Sequence, residues 1–475
     1  DIFINDMEAS LHDADTVFAV ADAHKIGDFS AYVFESRDRG GSWRSISGDL
    51  PEGEIVWSIQ QDHVMPDLLF IGAETGIYVS TNRGANWHKL NGNTPTISFR
   101  DIEIHRRDND LVGATFGRGI FVLDDYSALR DIASGALDAD ATLFPVRDAW
   151  WYVPMVPGQA IGLPTFGSTN FVAPNPPFGA LLTYHLKSDA LSAKDNRRKV
   201  ERDLDQAGAD VPFPGWDRLL AESLESPPKA LVLIRDADGQ AVRWLEGPVT
   251  KGIHRISWDL RHPAPDAISL EQPEFKPPWV TDPTGPMAGP GRYSAELMLL
   301  AGGVAEALGE PRYFEVKPVP TAPDGTDFAV VAEFQKETLD LMRQISSLER
   351  DIQRTEEQLQ RMRAAVLQAT PADPALNQQM DTFTAALNGV KTRLSGDAIR
   401  GGRNEATLPS IKSRVQRVAG FHWGTRQMPT VTQRRSIEIA SDEFAQLRAD
   451  LSILLEESLA ELEAELEAAG APSWK

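Results

Sequence analysis

The chain has 475 residues, too many for one hydrophobic core, and at roughly 100 to 200 residues per domain it predicts about three domains. An apolar fraction of 42%, with 20 Phe and 11 Trp, argues against global disorder. The formal charge of −22, from 69 acidic against 47 basic residues, repels nucleic acid and anionic membrane surfaces alike, and the absence of cysteine removes disulfides, thiol catalysis and thiolate metal sites.

No apolar run approaches the ~18 residues of a membrane span. The first residue is Asp1 and no basic-then-apolar leader follows it, so the chain reads as a C-terminal portion of a longer protein, any export signal lying upstream or removed. The glutamates between Glu456 and Glu467 read as a solvated helix face.

The first 126 residues contain a repeat. Asp15-Thr-Val-Phe-Ala-Val-Ala21, Asp67-Leu-Leu-Phe-Ile-Gly-Ala73 and Asp110-Leu-Val-Gly-Ala-Thr115 read as one strand written three times, each followed by a second strand, Tyr32–Ser36, Gly76–Ser80 and Gly119–Leu123. The first two second strands run into turns of fixed residue types. Ser36, Asp38, Gly40 and Trp43 recur as Ser80, Asn82, Gly84 and Trp87, a spacing of 44 residues that matches a four-stranded propeller blade of ~40 to 45. Ser and Asp or Asn accept from turn N–H groups, Gly supplies positive φ, and Trp is expected to fold over the hairpin. These eight residues are therefore read as building turns. The third copy ends instead in Asp124-Asp125-Tyr126, as a closing blade would.

The pattern resembles the Asp-box, or BNR, repeat of sialidase-like, xyloglucanase-like and sortilin-like propellers. The phrase Ala114-Thr-Phe-Gly-Arg-Gly-Ile-Phe-Val-Leu-Asp-Asp125 resembles the stretch that closes the propeller in large bacterial exported proteins labelled glycosyl hydrolase or sortilin-like. That resemblance implies export, the last two to three blades of a β-propeller over residues 1–130, and a ligand-binding face that takes a protein or a glycan.

Residues 131–178, rich in Pro and Gly with Trp150-Trp151-Tyr152 and Phe166, are expected to form an irregular linker. The aromatic triplet can stack sugars or cover the seam between propeller and sandwich, and the seam is preferred. Short apolar strands Ala180–Leu186, Ala230–Arg235, Ala241–Leu245, Ile253–Leu260, Tyr293–Leu300 and Tyr313–Val316, with an Asp238-Gly239 turn, predict an antiparallel sandwich over 179–318. Gly291-Arg-Tyr293 and Gly252-Ile-His-Arg-Ile-Ser-Trp258 resemble fibronectin type III-like modules. Residues 188–226 are read as a charged, partly helical insertion.

Beyond 329 the period becomes 3.5. Leu341, Ile345, Leu348, Ile352, Thr355, Leu359, Met362 and Val366 alternate four and three, as do Leu376 to Leu394 and Ile437 to Leu454. Thr430-Val-Thr-Gln433 after Pro429 is a capping box, and Leu408, Ile411, Val415 and Val418 make a shorter element. An antiparallel helical bundle over 329–470 is expected, with Gly420-Phe-His-Trp-Gly424 as a loop that caps its end or docks a partner. The heptads leave self-association open.

No catalytic constellation emerges. Asp124 and Asp125 are adjacent and point to opposite faces of a strand, so strand-end capping is preferred over glycoside hydrolysis. The nine histidines show no ligand spacing, and no nucleotide or hydrolase fingerprint occurs, so no metal, cofactor or catalytic residue is assigned. The leading expectation is a protein- or glycan-binding recognition protein. The alternative is a glycoside hydrolase, sialidase- or xyloglucanase-like, whose active site lies mostly in blades this chain does not contain.

Overall fold

The computed structural model describes residues 2–154, 167, 169–170, 175–270, 275, 277, 280, 282–320, 325–369 and 374–474. It is multidomain, with several antiparallel sheets followed by C-terminal helices. Two compact units are present, the first Asp1–Ala149, Asn175–Trp258 and Arg292–Glu315, the second Trp150–Pro174, Asp259–Gly291 and Val316–Lys475.

The first unit opens with three antiparallel sheets, each written in chain order. Strands β1 (Phe3–Ala9), β2 (Val17–Ala23), β3 (Asp28–Ser36) and β4 (Arg44–Ser45) form one sheet, and β5 (Val56–Gln61), β6 (Leu69–Ala73), β7 (Ile77–Ser80) and β8 (His88–Lys89) the next. The third has only β9 (Phe99–His105), β10 (Asp110–Thr115) and β11 (Ile120–Leu123).

Alternation along these strands sends apolar side chains into two interlayer cores. Phe18, Val20 and Val33 meet Val56, Ile59 and Ile71 between the first two sheets, all fully buried. Leu68, Phe70 and Val79 meet Ile102, Leu111 and Tyr126 between the second and third. Strands β1 and β11 by contrast bare Ile4, Met7, Ile120 and Val122.

Two buried carboxylates cross-link the layers. Glu35 of β3 accepts from Arg37 and Arg44 of its own sheet and from Arg83 of the second. Burial alone would raise its pKa; the three guanidiniums outweigh that and hold it below the ordinary value. Asp62, just past β5, receives Arg130 through Nε at 2.9 Å and an Nη at 2.7 Å, Tyr126 O–H at 2.6 Å and the Met65 N–H at 2.7 Å. Arg130 stands on helix α1 (Ala128–Ala133), which follows the third sheet.

The stretch expected as irregular linker contains part of α1 and two strands, β12 (Ala141–Leu143) and β13 (Ala149–Trp151). These runs are three residues long, too short for periodicity to show, yet Leu143, Phe144 and Trp151 are buried. Trp151 sets its ring edge-to-face at 5.1 Å on Phe328, so it seals the base of a helix, while Trp150 and Tyr152 stay part-exposed. Phe166 lies outside the described residues.

Next come β14 (Ala180–Leu186), helices α2 (Ala193–Gln206) and α3 (Trp216–Leu224), then β15 (Lys229–Arg235), β16 (Ala241–Gly247), β17 (Gly252–Trp258), β18 (Gly291–Ala301), β19 (Val304–Ala307) and β20 (Arg312–Pro318). One sheet runs β12–β14–β17, the other β20–β18–β15–β16 with β19 hairpinned onto β18. Trp258 of the former packs on Tyr293 and Phe314 of the latter at 5.1 and 6.2 Å, which seats the two sheets face to face.

In the second unit α4 (Phe328–Val366) holds 39 residues, about 58 Å at 1.5 Å per residue. It shares one apolar core with α5 (Pro374–Ser395), α7 (Ile411–His422), α8 (Val431–Ile453) and α9 (Ala460–Ala468), and a short α6 (Ala398–Gly401) precedes α7. All eight heptad positions of α4 are buried, Thr355 among them. Because these positions face partners within one chain, the heptads themselves offer no seam for a second copy. Thr430 and Gln433 form the reciprocal capping box at the start of α8, and α8 passes through a π-helical turn, Leu454–Leu459, into α9.

Two expectations are corrected here. Leu408 lies outside α7 and is 88% exposed, because Pro409 forces extended backbone on the residue before it. Gly420-Phe-His422 is the last turn of α7, not a loop. His422 is buried, its carbonyl takes the Gln335 amide at 2.9 Å and its Nε2 pairs with the Gln427 carbonyl at 3.1 Å, while Trp423 Nε1–H donates to Thr338 at 2.8 Å.

Candidate functional site

The eight turn residues sit where β3 passes to β4 and β7 to β8. Ser36 Oγ donates to Asp38 Oδ1 at 2.8 Å and accepts the Gly40 N–H at 2.8 Å, and Asp38 also receives Ser42 through its N–H and Oγ, both at 2.7 Å. The Ser42 hydroxyl, its N–H and the Ser36 hydroxyl hold Asp38 below the usual carboxylate range. In the second turn Ser80 Oγ accepts the Gly84 N–H at 2.8 Å and Asn82 Oδ1 the Asn86 N–H at 2.9 Å. Gly40 and Gly84 take φ +90° and +82°, and Arg39 and Arg83 just before them are also left-handed.

The two tryptophans differ. Trp43 is 43% exposed, with its ring near Gly40, whereas Trp87 is 5% exposed and donates Nε1–H to the Ile46 carbonyl at 3.0 Å. The second ring therefore leaves its own hairpin for the core between sheets, where burial of an indole with a satisfied N–H is worth more.

The register places these turns at one end of the sheets, since Ser36 pairs with Val17, the first residue of β2. The opposite end collects different chemistry. Val56, at the start of β5, pairs with Ala73, at the end of β6, and Phe99 of β9 pairs with Thr115 of β10. Trp57, Glu74, Arg100 and Phe116 are thus brought to the same edge from two sheets, and His24, just past β2, joins them from the first.

The geometry there is tight. The Arg100 guanidinium lies 3.5 Å from the Trp57 ring centroid and 5.2 Å from that of Phe116, and 3.7 Å from Glu74 Oε2. Trp57 Nε1–H donates to that same Oε2 at 2.9 Å. His24 meets Trp57 edge-on at 5.9 Å, its Nδ1 held by buried Asp22. Burial would raise Asp22, but the hydrogen bonds from His24 and Asn5 keep it below the ordinary value. Farther along, Lys25 Nζ sits 4.5 Å over the Phe3 ring. Phe116 is 72% exposed and Phe3 45%, so the row presents flat apolar faces interleaved with charged hydrogen-bonding groups to solvent.

No sequence motif marks these five residues. They stand singly at strand ends, and the signal available was position, since Trp57 and Arg100 occur about one repeat apart on the first strands of successive sheets.

The two residues of the acidic pair ending the third repeat have different surroundings. Asp125 takes φ +42°, is buried, and accepts Ser127 N–H and Oγ at 3.2 and 2.6 Å just before α1. The carbonyls of Asp124 and Asp125 accept from Arg255, at 2.5 and 2.7 Å. Burial, then the neighbouring Asp110, raises the Asp124 carboxyl.

Among the described residues one group, His105, Asp108 and Asp110, brings ligand-type atoms within 4.8 Å of one another. Arg107 pairs with Asp108 at 2.6 Å and Arg147 with Asp110 at 3.3 Å, so guanidiniums already neutralise the charge a cation would need, and no metal is assigned there. No helix of the described residues is long and apolar enough to cross a membrane.

No protein-family model matches the chain, and no curated protein sequence does. Solved structures match weakly. A GH74 xyloglucanase from Xanthomonas campestris aligns at TM-score 0.18 and 14% identity over 22% of this chain and 17% of that one. An ancestral GH74 enzyme gives 0.21 and 14% over 38% and 25%. The extracellular domain of a hybrid two component system from B. thetaiotaomicron gives 0.19 and 11% over 67% and 31%. This chain thus spans at most 31% of these three structures, and likeness at this level fixes neither fold nor function.

Proposed function

We propose that the three stacked sheets are consecutive blades of an Asp-box propeller in an exported protein, and that the end opposite the box turns is a recognition surface for a glycan or protein ligand. The Ser, Asp or Asn, and Gly of each box serve the turn, because every polar atom quoted above is spent on turn backbone or on another box residue. The sandwich, in the fibronectin type III manner, and the bundle act as spacer or docking modules.

The observation that carries the reading is the Trp57–Arg100–Phe116 stack. Sugars bind through the apolar faces of their rings and through hydroxyls that planar Arg and carboxylate groups hydrogen-bond, and this edge supplies both. A hydrolase reading needs two carboxylates free to act on one bond. Here Glu74 is held by Trp57 and Arg100, Glu54 by Thr75 and Tyr78, and Asp22 by His24, which favours binding over turnover.

A glycan array followed by calorimetry on the best hit, with Arg100→Ala and Phe116→Ala beside the parent chain, tests this. Each substitution should weaken binding by about tenfold or more, the loss of ~1–2 kcal/mol typical of a contact anchor. Unchanged affinity in both variants would move the ligand elsewhere, and turnover of a glycoside abolished by Glu74→Gln would establish the hydrolase instead.

A further inference from the structure

Asn-Gly occurs twice in the chain, at Asn91-Gly92 and Asn388-Gly389. In such a pair the backbone nitrogen of the glycine, once its N–H gives up the proton to water, attacks the asparagine Cγ and expels ammonia, closing a five-membered imide. Water then opens the imide at either carbonyl, leaving aspartate or, with the main chain rerouted through the side chain, isoaspartate. The net change is one water consumed and one ammonia released. Glycine favours the attack because it carries no Cβ to crowd the nitrogen. Local structure decides the rest: the N–H must be free of an acceptor, and the asparagine ψ must be free to turn the nitrogen onto Cγ.

The fold separates the two pairs, although both are exposed. Asn388-Gly389 lies inside α5, where the Gly389 N–H belongs to the helical ladder and ψ is fixed. Asn91-Gly92 lies between β8 and β9, outside both strands. Among the described residues no group accepts the Gly92 N–H and none bonds the Asn91 amide. A Cβ added at Gly92 would meet nothing within 4 Å, so the imide ring has room to close. The related Asp238-Gly239 pair is exposed too, but its Gly239 N–H is held by the Asp236 carbonyl at 3.0 Å. We propose that Asn91 is a modification site, converted through the imide to aspartate and isoaspartate while Asn388 stays intact. The Leu90 N–H donates to the Ile77 carbonyl at 2.9 Å and Lys89 Nζ to Thr75 at 3.0 Å, so the modified residue leaves the second sheet at the Glu74 end and opens the segment that runs on to Arg100. An isoaspartate there adds a negative charge and a main-chain methylene to that segment. This chemistry is independent of whether that edge binds a ligand.

Trypsin separates the two sites, releasing Leu90–Arg100 and Ala364–Lys391. The folded chain, held at mildly alkaline pH and sampled over time by mass spectrometry, should convert Asn91 about tenfold faster than Asn388 or more, since reaction at Asn388 waits on local opening of the helix. Isoaspartate and aspartate should both appear in the first peptide, told apart by electron-transfer fragmentation, at a rate that rises with pH as the attacking nitrogen loses its proton. In guanidinium, which frees both N–H groups, the two rates should converge. Gly92→Ala should slow conversion at Asn91 about tenfold by crowding the attack. Equal rates at the two asparagines in the folded chain overturn the proposal, as does conversion to aspartate without isoaspartate or a rate that Gly92→Ala leaves unchanged.

Discussion

Asp62→Ala should be among the most costly single substitutions in the three-sheet region. Asp62 is fully buried and binds Arg130 through two nitrogens, Tyr126 through its hydroxyl, and the Val64 and Met65 N–H groups. Removing it strands a largely buried guanidinium, and breaking one side of a buried ion pair costs about 3–5 kcal/mol, with each lost backbone hydrogen bond adding ~1 kcal/mol. Against a typical stability of about 5–15 kcal/mol, that is enough to open the second and third sheets locally. Burial raises the Asp62 pKa, but the Arg130 and Tyr126 bonds more than reverse it, so the folded value lies below the ordinary one. The stabilisation is therefore complete above the ordinary carboxylate range and fades as pH falls through and below it. Hydrogen-exchange mass spectrometry on peptides covering Val56–Ala73 and Tyr126–Ala133 would read the opening free energy of Asp62→Ala, Arg130→Ala, the double variant and the parent at pH 7 and pH 3. The expected result is a loss of at least ~3 kcal/mol at pH 7 that shrinks by pH 3, and a double-mutant cycle with Arg130→Ala coupling the two by at least ~2 kcal/mol. A loss under 1 kcal/mol, or one that does not change with pH, refutes the latch.

Gly84→Ala should cost more than Gly40→Ala although both glycines are left-handed: an added Cβ at Gly84 meets the Ile46 carbonyl oxygen at 2.6 Å, while at Gly40 the nearest atom is 3.7 Å away. Thermal unfolding should put the second near the ~1 kcal/mol of αL strain and the first at least ~1 kcal/mol beyond it. Thr430→Ala removes the hydroxyl half of the capping box, leaving the Thr430 N–H on Gln433, and should cost about 0.5–2 kcal/mol in denaturant unfolding of the helical unit, with Thr430→Ser largely restoring it. Burial lowers the His422 pKa, so the folded state resists its protonation; the parent should lose stability as pH falls from 7 to 5, and His422→Gln should flatten that slope in urea titrations. With Ile4 and Met7 bare on β1, limited proteolysis should cut within the first three sheets before α4, and even cleavage across the chain would contradict the expectation.

How much was legible in the sequence follows from where each element finds its energy. The heptads of α4 were readable because each apolar position repeats a local rule over 39 residues, and the Thr430 cap because its partners lie three residues apart. The six expected sandwich strands appear as β14 to β18 and β20 with shifts of a residue or two at their ends, since each carried enough apolar length to show. The three-residue strands β12 and β13 did not, their stability coming from neighbours distant in the chain, as when Asp148 accepts the Glu315 N–H at 2.9 Å. Trp87 taught the same lesson from the other side: boxes that differ only by Asp38 against Asn82 at their four fixed positions give Trp43 and Trp87 nearly the same local instructions, and only the second has Ile46 of a preceding sheet within reach.

The proposed recognition edge was the least legible feature for a related reason. Box turns are local, so their residues recur in fixed order, whereas Trp57, Glu74, Arg100, Phe116 and His24 meet only after three sheets have stacked. Nothing in the fold requires that particular set, because strand ends tolerate most residue types. An arginine laid 3.5 Å over an indole beside a phenylalanine that is 72% exposed gives up rotamer freedom and leaves apolar surface in water. Residues held that way at the end of a stack whose opposite end is occupied by turn chemistry are better accounted for by a ligand than by stability, and the edge is where substitutions should alter binding while leaving unfolding free energies within about 0.5 kcal/mol.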